Sequence, residues 1–243
     1  MERQLKEITT QELEEIIGFD LKPKKEKKKA NTVKVNEELY NELRFYKYLE
    51  PAEKGELLES IVKDVLTKGD YSFVEMRDKR MQKSWGDFII MGSNKEVIRA
   101  DVKSSTTYKE KDRLSMDYEY YQKDSSKPYI PLGADDNKGY LLYLKADMII
   151  AINTDSKRLY IVKEFEKLRE KILEQILYLE LEGKERGNDI IDISVNRKDK
   201  YKDTKIVSIA FTDMKKLGVD VVIYDIIEEH KKNTQSLDAE SIS

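Results

Sequence analysis

The hydrophobic period of the chain first changes near Gly69, and that change constrains its class. Before it, Leu57, Leu58, Ile61, Val62 and Val65 recur at the spacing of a buried helix face, from about Glu53 to Lys68, with Gly69 as the stop. After it come short runs rich in β-branched and aromatic residues: Tyr71 to Met76, Asp87 to Met91 and Glu96 to Lys103. The last two are joined by Gly92-Ser93-Asn94-Lys95, a tight-turn sequence, so a meander of three antiparallel strands is expected. Leu114, Met116, Tyr118 and Tyr120 alternate with Ser115, Asp117, Glu119 and Tyr121, which predicts another half-buried strand. Met148 to Ile152, the most apolar run, and Leu159 to Val162 read as central strands. Phe165, Leu168, Ile172, Ile176 and Leu179 mark a long amphipathic helix ending near Gly183, and Ile206 to Phe211 and Val219 to Tyr224 add two strands. This interleaving predicts an α/β domain with a mixed central sheet flanked by helices.

Upstream, Thr9 and Glu12 form a capping box for a short helix that Gly18 ends. Lys22 to Lys29 then carries six lysines against Glu26, a local +5 that leaves −8 on the rest of a chain whose net charge is −3. Thr32 to Val35 is a brief β-like run, and Leu39, Leu43, Tyr46 and Leu49 predict a helix over 37–50. Lys123 to Lys138 has little periodicity and reads as a loop of functional length. The chain therefore divides into a short helix and basic arm (1–31), a helical N-terminal lobe (32–52), an α/β core (53–230) and a polar tail (231–243).

Composition removes most chemistries. With 45 basic and 48 acidic residues the chain is not a strongly basic, DNA-coating protein. It has no cysteine and a single histidine, His230, so thiolate metal sites, a cysteine nucleophile, histidine triads and multi-histidine zinc sites are all out. Carboxylates, Lys, Arg, Tyr, Ser and Thr remain. No apolar run is long enough to span a membrane and Met1 to Lys6 has no signal-peptide character, so a cytoplasmic protein without membrane contact is expected.

In Asp101-Val102-Lys103, strand geometry sends Asp101 and Lys103 to one face, with Val97 and Arg99, while Ala100 and Val102 face the other way. Asp87 follows Trp85-Gly86 at the head of the preceding strand, and a hairpin through Gly92 can bring it beside Asp101. Two close carboxylates repel unless a proton or cation sits between them, and magnesium, with manganese as a substitute, takes such oxygen ligands. Lys103 could position or deprotonate a water, or stabilise charge on a pentacovalent phosphate. The plainer alternative makes Asp87, Asp101 and Lys103 cross-strand surface pairs, Glu59 an i, i+4 partner of Lys63, and Trp85 a core anchor where it could otherwise stack on a base.

The order of a helix carrying Glu59, a strand, a strand headed by Gly86-Asp87, a turn, and a strand ending Asp101-Val102-Lys103 resembles the PD-(D/E)XK nuclease superfamily. Gly55-x-x-x-Glu59-x-x-Val62-x-x-x-Leu66-x-x-Gly69 looks like its first core helix. Gly139-Tyr140-Leu141, Lys145-Ala146-Asp147, Ile206 to Phe211 and Met214 to Gly218 look like later core elements, so the resemblance spans roughly 53–227. It implies a restriction-endonuclease-like fold and magnesium-dependent hydrolysis of DNA phosphodiesters. Asp87 and Asp101 would be the metal-binding acids, Lys103 the motif lysine and Glu59 an additional acidic ligand; Gly86 stands where the motif has proline. A second resemblance competes. Thr32 to Val35 and the two helices up to Lys68 look like a ribbon-helix-helix unit, which implies a non-enzymatic DNA-binding regulator working as a homodimer. In both readings the arm residues Lys24, Lys25, Lys27, Lys28 and Lys29 are expected to contact DNA phosphates.

Overall fold

The computed structural model describes residues 31–78, 81–82, 85–92, 96–131 and 136–229. Strand β1 (Thr32–Val35) leads into helix α1 (Glu37–Leu43), which Asn36 caps by accepting from the Leu39 amide at 3.2 Å. A single helix over 37–50 is not what forms: the chain leaves α-helical geometry after Leu43 and makes a 3₁₀ turn at Tyr46–Tyr48. Tyr46 and Leu49 stand three apart, a spacing that a 3₁₀ turn also serves. Pro51 in addition holds Glu50 in an extended conformation, with ψ 158°. Glu50 then opens helix α2 (Pro51–Lys68), its amide donating to Glu53 Oε2 at 2.8 Å.

Strands β2 (Ser72–Glu75), β3 (Phe88–Met91), β4 (Val97–Tyr108) and β5 (Lys111–Gln122) follow. Next come the short helix α3 (Tyr140–Tyr143), β6 (Met148–Asn153), β7 (Arg158–Val162) and helix α4 (Phe165–Leu181). The last elements are β8 (Ile191–Asn196), β9 (Lys202–Ala210), the helical turn α5 (Phe211–Met214) and β10 (Val221–Glu228). The ten strands form one mixed sheet in the order β1-β10-β7-β6-β4-β5-β9-β8, with β3 and then β2 branching from β4. The expected mixed sheet flanked by helices is present, and β2, β3 and β4 make the expected antiparallel meander.

The sheet has a core on each face. Leu57, Leu58, Ile61 and Val62 of α2 pack with Ala100 and Val102 of β4 and Ile150 and Ile152 of β6. On the opposite face, Phe165, Leu168, Ile172 and Ile176 of α4 pack with Ile149 and Ala151 and with Leu114 and Met116 of β5. Each such buried aliphatic side chain contributes about 1.5–3 kcal/mol by leaving water, which is why the long helices lie where they do. Residues 32–52 belong to the same body, since β1 pairs in parallel with β10 and Val35 and Leu43 join the α2 core. The basic arm with Lys24, Lys25, Lys27, Lys28 and Lys29, and the tail from His230 onward, lie outside the described residues. No helix among the described residues is long and apolar enough to cross a membrane.

β4 does the most to position chemistry. It runs on to Tyr108, beyond the run that ends at Lys103, because Ala100–Ser105 pair in parallel with β6 and Thr106–Tyr108 then pair with β5. β3 pairs with β4 only over Val97–Ala100. Residues Asp101–Ser105 therefore lie between two partners on that side of β4, with backbone that neither β3 nor β5 takes up.

Candidate active site

That interval is where the sequence-predicted acids meet. The Asp87 amide donates to Ala100 O at 2.9 Å, after which the ladder ends and the Asp87 side chain takes over: its Oδ2 accepts from the Val102 amide at 2.7 Å. Asp101 accepts on Oδ2 from Lys103 Nζ at 2.9 Å and from the Tyr140 hydroxyl. Lys103 Nζ also sits 4.1 Å from the centre of the Tyr140 ring, a cation–π contact. Asp87 is 8% exposed and Asp101 3%, while the Lys103 side chain as a whole keeps 32% of its surface in water, so the carboxylates are sunk and the lysine stem is only part-buried.

The electrostatics follow from that burial. Desolvation, and then the negative charge of Asp101, push the Asp87 carboxyl up to about 7. Burial pulls the Lys103 ammonium down, but Asp101 and Asp87 more than offset this, and it remains charged above its ordinary range. Glu59, on α2, is raised by its partial burial and by the charges of Glu75 and Asp101. Its expected partner Lys63 is bonded elsewhere, to Glu75 Oε2 at 2.9 Å. Glu59 thus borders the cluster as an unpaired acid among the described residues. Trp85 is 43% exposed and so is not a core anchor.

Two glycines make the arrangement fit. Gly86 has φ +91°, and a Cβ there would lie 2.6 Å from Ala100 O, so neither alanine nor the proline of the motif can occupy it without strain. Gly139 approaches the Asp117 backbone so closely that a Cβ would lie 2.5 Å from its carbonyl oxygen. The Gly139 amide donates to Tyr118 O at 2.7 Å, at the bulge in β5, and this contact delivers Tyr140 to Asp101. Each glycine directly precedes a residue of the cluster. Gly86→Ala is expected to cost about 1–3 kcal/mol through strain and to displace Asp87; a melting temperature equal to wild type would show that the approach to Ala100 relaxes freely.

Tyr140 was not identifiable as a site residue from the sequence, because its contact with Asp101 spans 39 positions and depends on the β5 bulge. Asp147 has a different role from the cluster: it clamps Arg99, accepting from Nε at 2.9 Å, Nη2 at 2.6 Å and the backbone amide at 2.8 Å, which fixes β4 against the start of β6. A pocket of about 370 Å³ lined by Asn36, Glu37, Glu38, Asn41 and Glu229 lies elsewhere and is acidic.

The donor set fits a hard divalent cation. Asp87 and Asp101 each engage Oδ2, and Oδ1 of each has no protein partner among the described residues and is not sealed from solvent. No group of three or more acidic or histidine side chains converges at ligating distance among the described residues. Two carboxylates suit magnesium, which is commonly held by one or two of them with water and substrate phosphate completing the octahedron.

The chain matches no protein-family model and no curated protein. Among solved structures it is similar to a bacterial homing endonuclease, I-Ssp6803I, at 12% identity and a TM-score of 0.33, over 47% of this chain and 70% of that one.

Proposed function

We propose that the protein is a magnesium-dependent nuclease that hydrolyses DNA phosphodiester bonds, with manganese able to substitute. The observation that carries this reading is the junction of Asp87, Asp101 and Lys103 along the β4 edge that β3 and β5 leave open: two sunken carboxylates, each with a spare oxygen, and a charged lysine beside them. Asp87 and Asp101 would hold the metal, and Glu59, whose carboxyl feels the charges of Asp101 and Lys103, would assist through water. Magnesium supplies charge neutralisation and Lewis acidity at a phosphate oxygen. Lys103, an ammonium at neutral pH, donates from Nζ to the attacking water or to the phosphate oxygen on which negative charge grows. Tyr140 holds Asp101 Oδ2 and offers its ring to Lys103, so it fixes both the ligand and the cation without itself touching the reacting atoms.

The test is cleavage of plasmid and linear DNA by the purified chain with magnesium, with manganese and with chelator. Wild type inert under every condition, or Lys103→Ala as active as wild type, would overturn the reading. Tyr140→Phe removes one hydrogen bond and keeps the ring. As a supporting partner of a ligand it is expected to cost about 10–100-fold in activity, with the magnesium concentration for half-activity raised; a purely structural tyrosine would lower stability and leave that concentration unchanged.

A further inference from the structure

Away from the carboxylates, exposed positive charge gathers at the tip of the β8–β9 hairpin. From Asn196 to Lys202 the chain carries Arg197, Lys198, Lys200 and Lys202 against Asp199, a local +3 on a protein of net charge −3. Asp199 is committed to the turn: its Oδ1 accepts from the Tyr201 amide at 2.8 Å and the Lys202 amide at 3.2 Å. Asn196 Oδ1 accepts in the same way from the Lys198 amide at 3.1 Å. The tip is thus shaped by its own side chains and presents its cations in a set geometry. Arg197, Lys198 and Lys200 are exposed, and none of them is ion-paired among the described residues. Tyr201 beside them is 65% exposed.

Contacts lead from the tip toward the site. Lys202 Nζ lies 3.7 Å from the centre of the Tyr120 ring, and the Tyr120 hydroxyl donates to Asp117 Oδ2 at 3.1 Å. The Asp117 backbone in turn abuts Gly139, which directly precedes Tyr140 and its bond to Asp101. The segment that follows β5 leans on the tip, since Lys123 Nζ donates to Arg197 O.

We propose that the β8–β9 tip is a docking prong for the phosphate backbone of DNA, holding the strand whose phosphodiester reaches Asp87, Asp101 and Lys103; the inference rests on the nuclease reading. Exposed, unpaired cations lose little hydration on meeting phosphate, and each contact gains by releasing condensed counterions. On a body that is otherwise acidic, such a local patch is what lets a polyanion approach and sets where it lies.

The test uses the full chain in chelator, so that binding is read without cleavage, with a short labelled DNA duplex titrated from about 50 to about 200 mM salt. R197Q/K198Q/K200Q is expected to bind at least about tenfold more weakly at the lowest salt and to flatten the slope of log K against log salt by about 2.7, three contacts at about 0.9 each. K198R/K200R keeps the charge and is expected to keep the wild-type slope. An unchanged slope and affinity in the glutamine variant would overturn the prong, as would prong-dependent binding to anionic phospholipid vesicles with none to DNA. Prong-dependent DNA binding by a wild type that cleaves nothing with magnesium would overturn the nuclease reading alone. Cleavage by wild type together with undiminished binding by the glutamine variant would overturn the prong alone.

Discussion

Asp101→Asn is expected to lower DNA cleavage by a factor on the order of 10³, the equivalent of several kcal/mol of lost charge stabilisation at about 1.4 kcal/mol per decade. Asp101 is the hub of the cluster: it receives both Lys103 Nζ and the Tyr140 hydroxyl, and it lies next to Asp87. Asparagine keeps the shape and one acceptor oxygen but removes the charge that the cation and the ammonium both need. A purely structural ion pair predicts a different outcome. Breaking a buried pair by neutralising one partner costs about 3–5 kcal/mol of stability, so a structural Asp101 would appear in the melting temperature while the folded fraction cut DNA normally. The double variant Asp101→Asn/Lys103→Met separates the cases further. If the two residues act as one unit, the double loses no more activity than the worse single; independent roles would multiply. Activity per folded molecule within threefold of wild type for Asp101→Asn would remove Asp101 from the mechanism.

The parts of this site legible in the sequence are those that depend on local geometry. Asp101 and Lys103 share a face because alternation along a strand has period two, and Asp87 lies near them because a meander of short strands must bring the head of one beside the end of the next. What could not be read depends on contacts that sequence spacing does not encode. The β4–β5 hairpin turns through Lys109 and Glu110, both at positive φ (49° and 62°), where a two-residue turn would more usually show asparagine or glycine. β8 is not legible in the sequence although Ile191, Ile193 and Val195 alternate, because its run is short and polar on one side and its one ladder is with β9, at the end of the sheet order. Tyr140 stands after an irregular stretch, and only the Gly139 contact with the bulged β5 directs it to Asp101. Gly86, which departs from the motif proline, has a reason that becomes visible only once Ala100 O is found 2.6 Å from where its Cβ would be.

Asp87→Asn is expected to make the metal-free protein more stable at pH 8 and to leave it nearly unchanged near pH 4. The folded carboxyl titrates at about 7, raised by burial first and by Asp101 second, against 3.8 for the unfolded chain. Between those values the folded state keeps a proton that the unfolded state has released. The stability associated with that proton is fully present below 3.8 and is lost as pH rises toward about 7. At about 1.4 kcal/mol per unit the loss is on the order of 4 kcal/mol, a difference of roughly 10 °C in melting temperature for a chain of this size. Asparagine cannot ionise and can still accept from the Val102 amide, so it escapes the loss. Glu59, also raised, imposes a smaller slope of the same sign but is common to both proteins, whereas Asp112, Asp147 and Asp213 are lowered and act in the opposite sense below their ordinary range. Magnesium at 100 times its dissociation constant should then restore about 2.7 kcal/mol to wild type at pH 8 and little to the variant. Melting curves across pH, with chelator and with magnesium, read both effects. Parallel pH profiles for wild type and Asp87→Asn would mean that Asp87 carries no buried charge, and the case for a cation between it and Asp101 would fail with it.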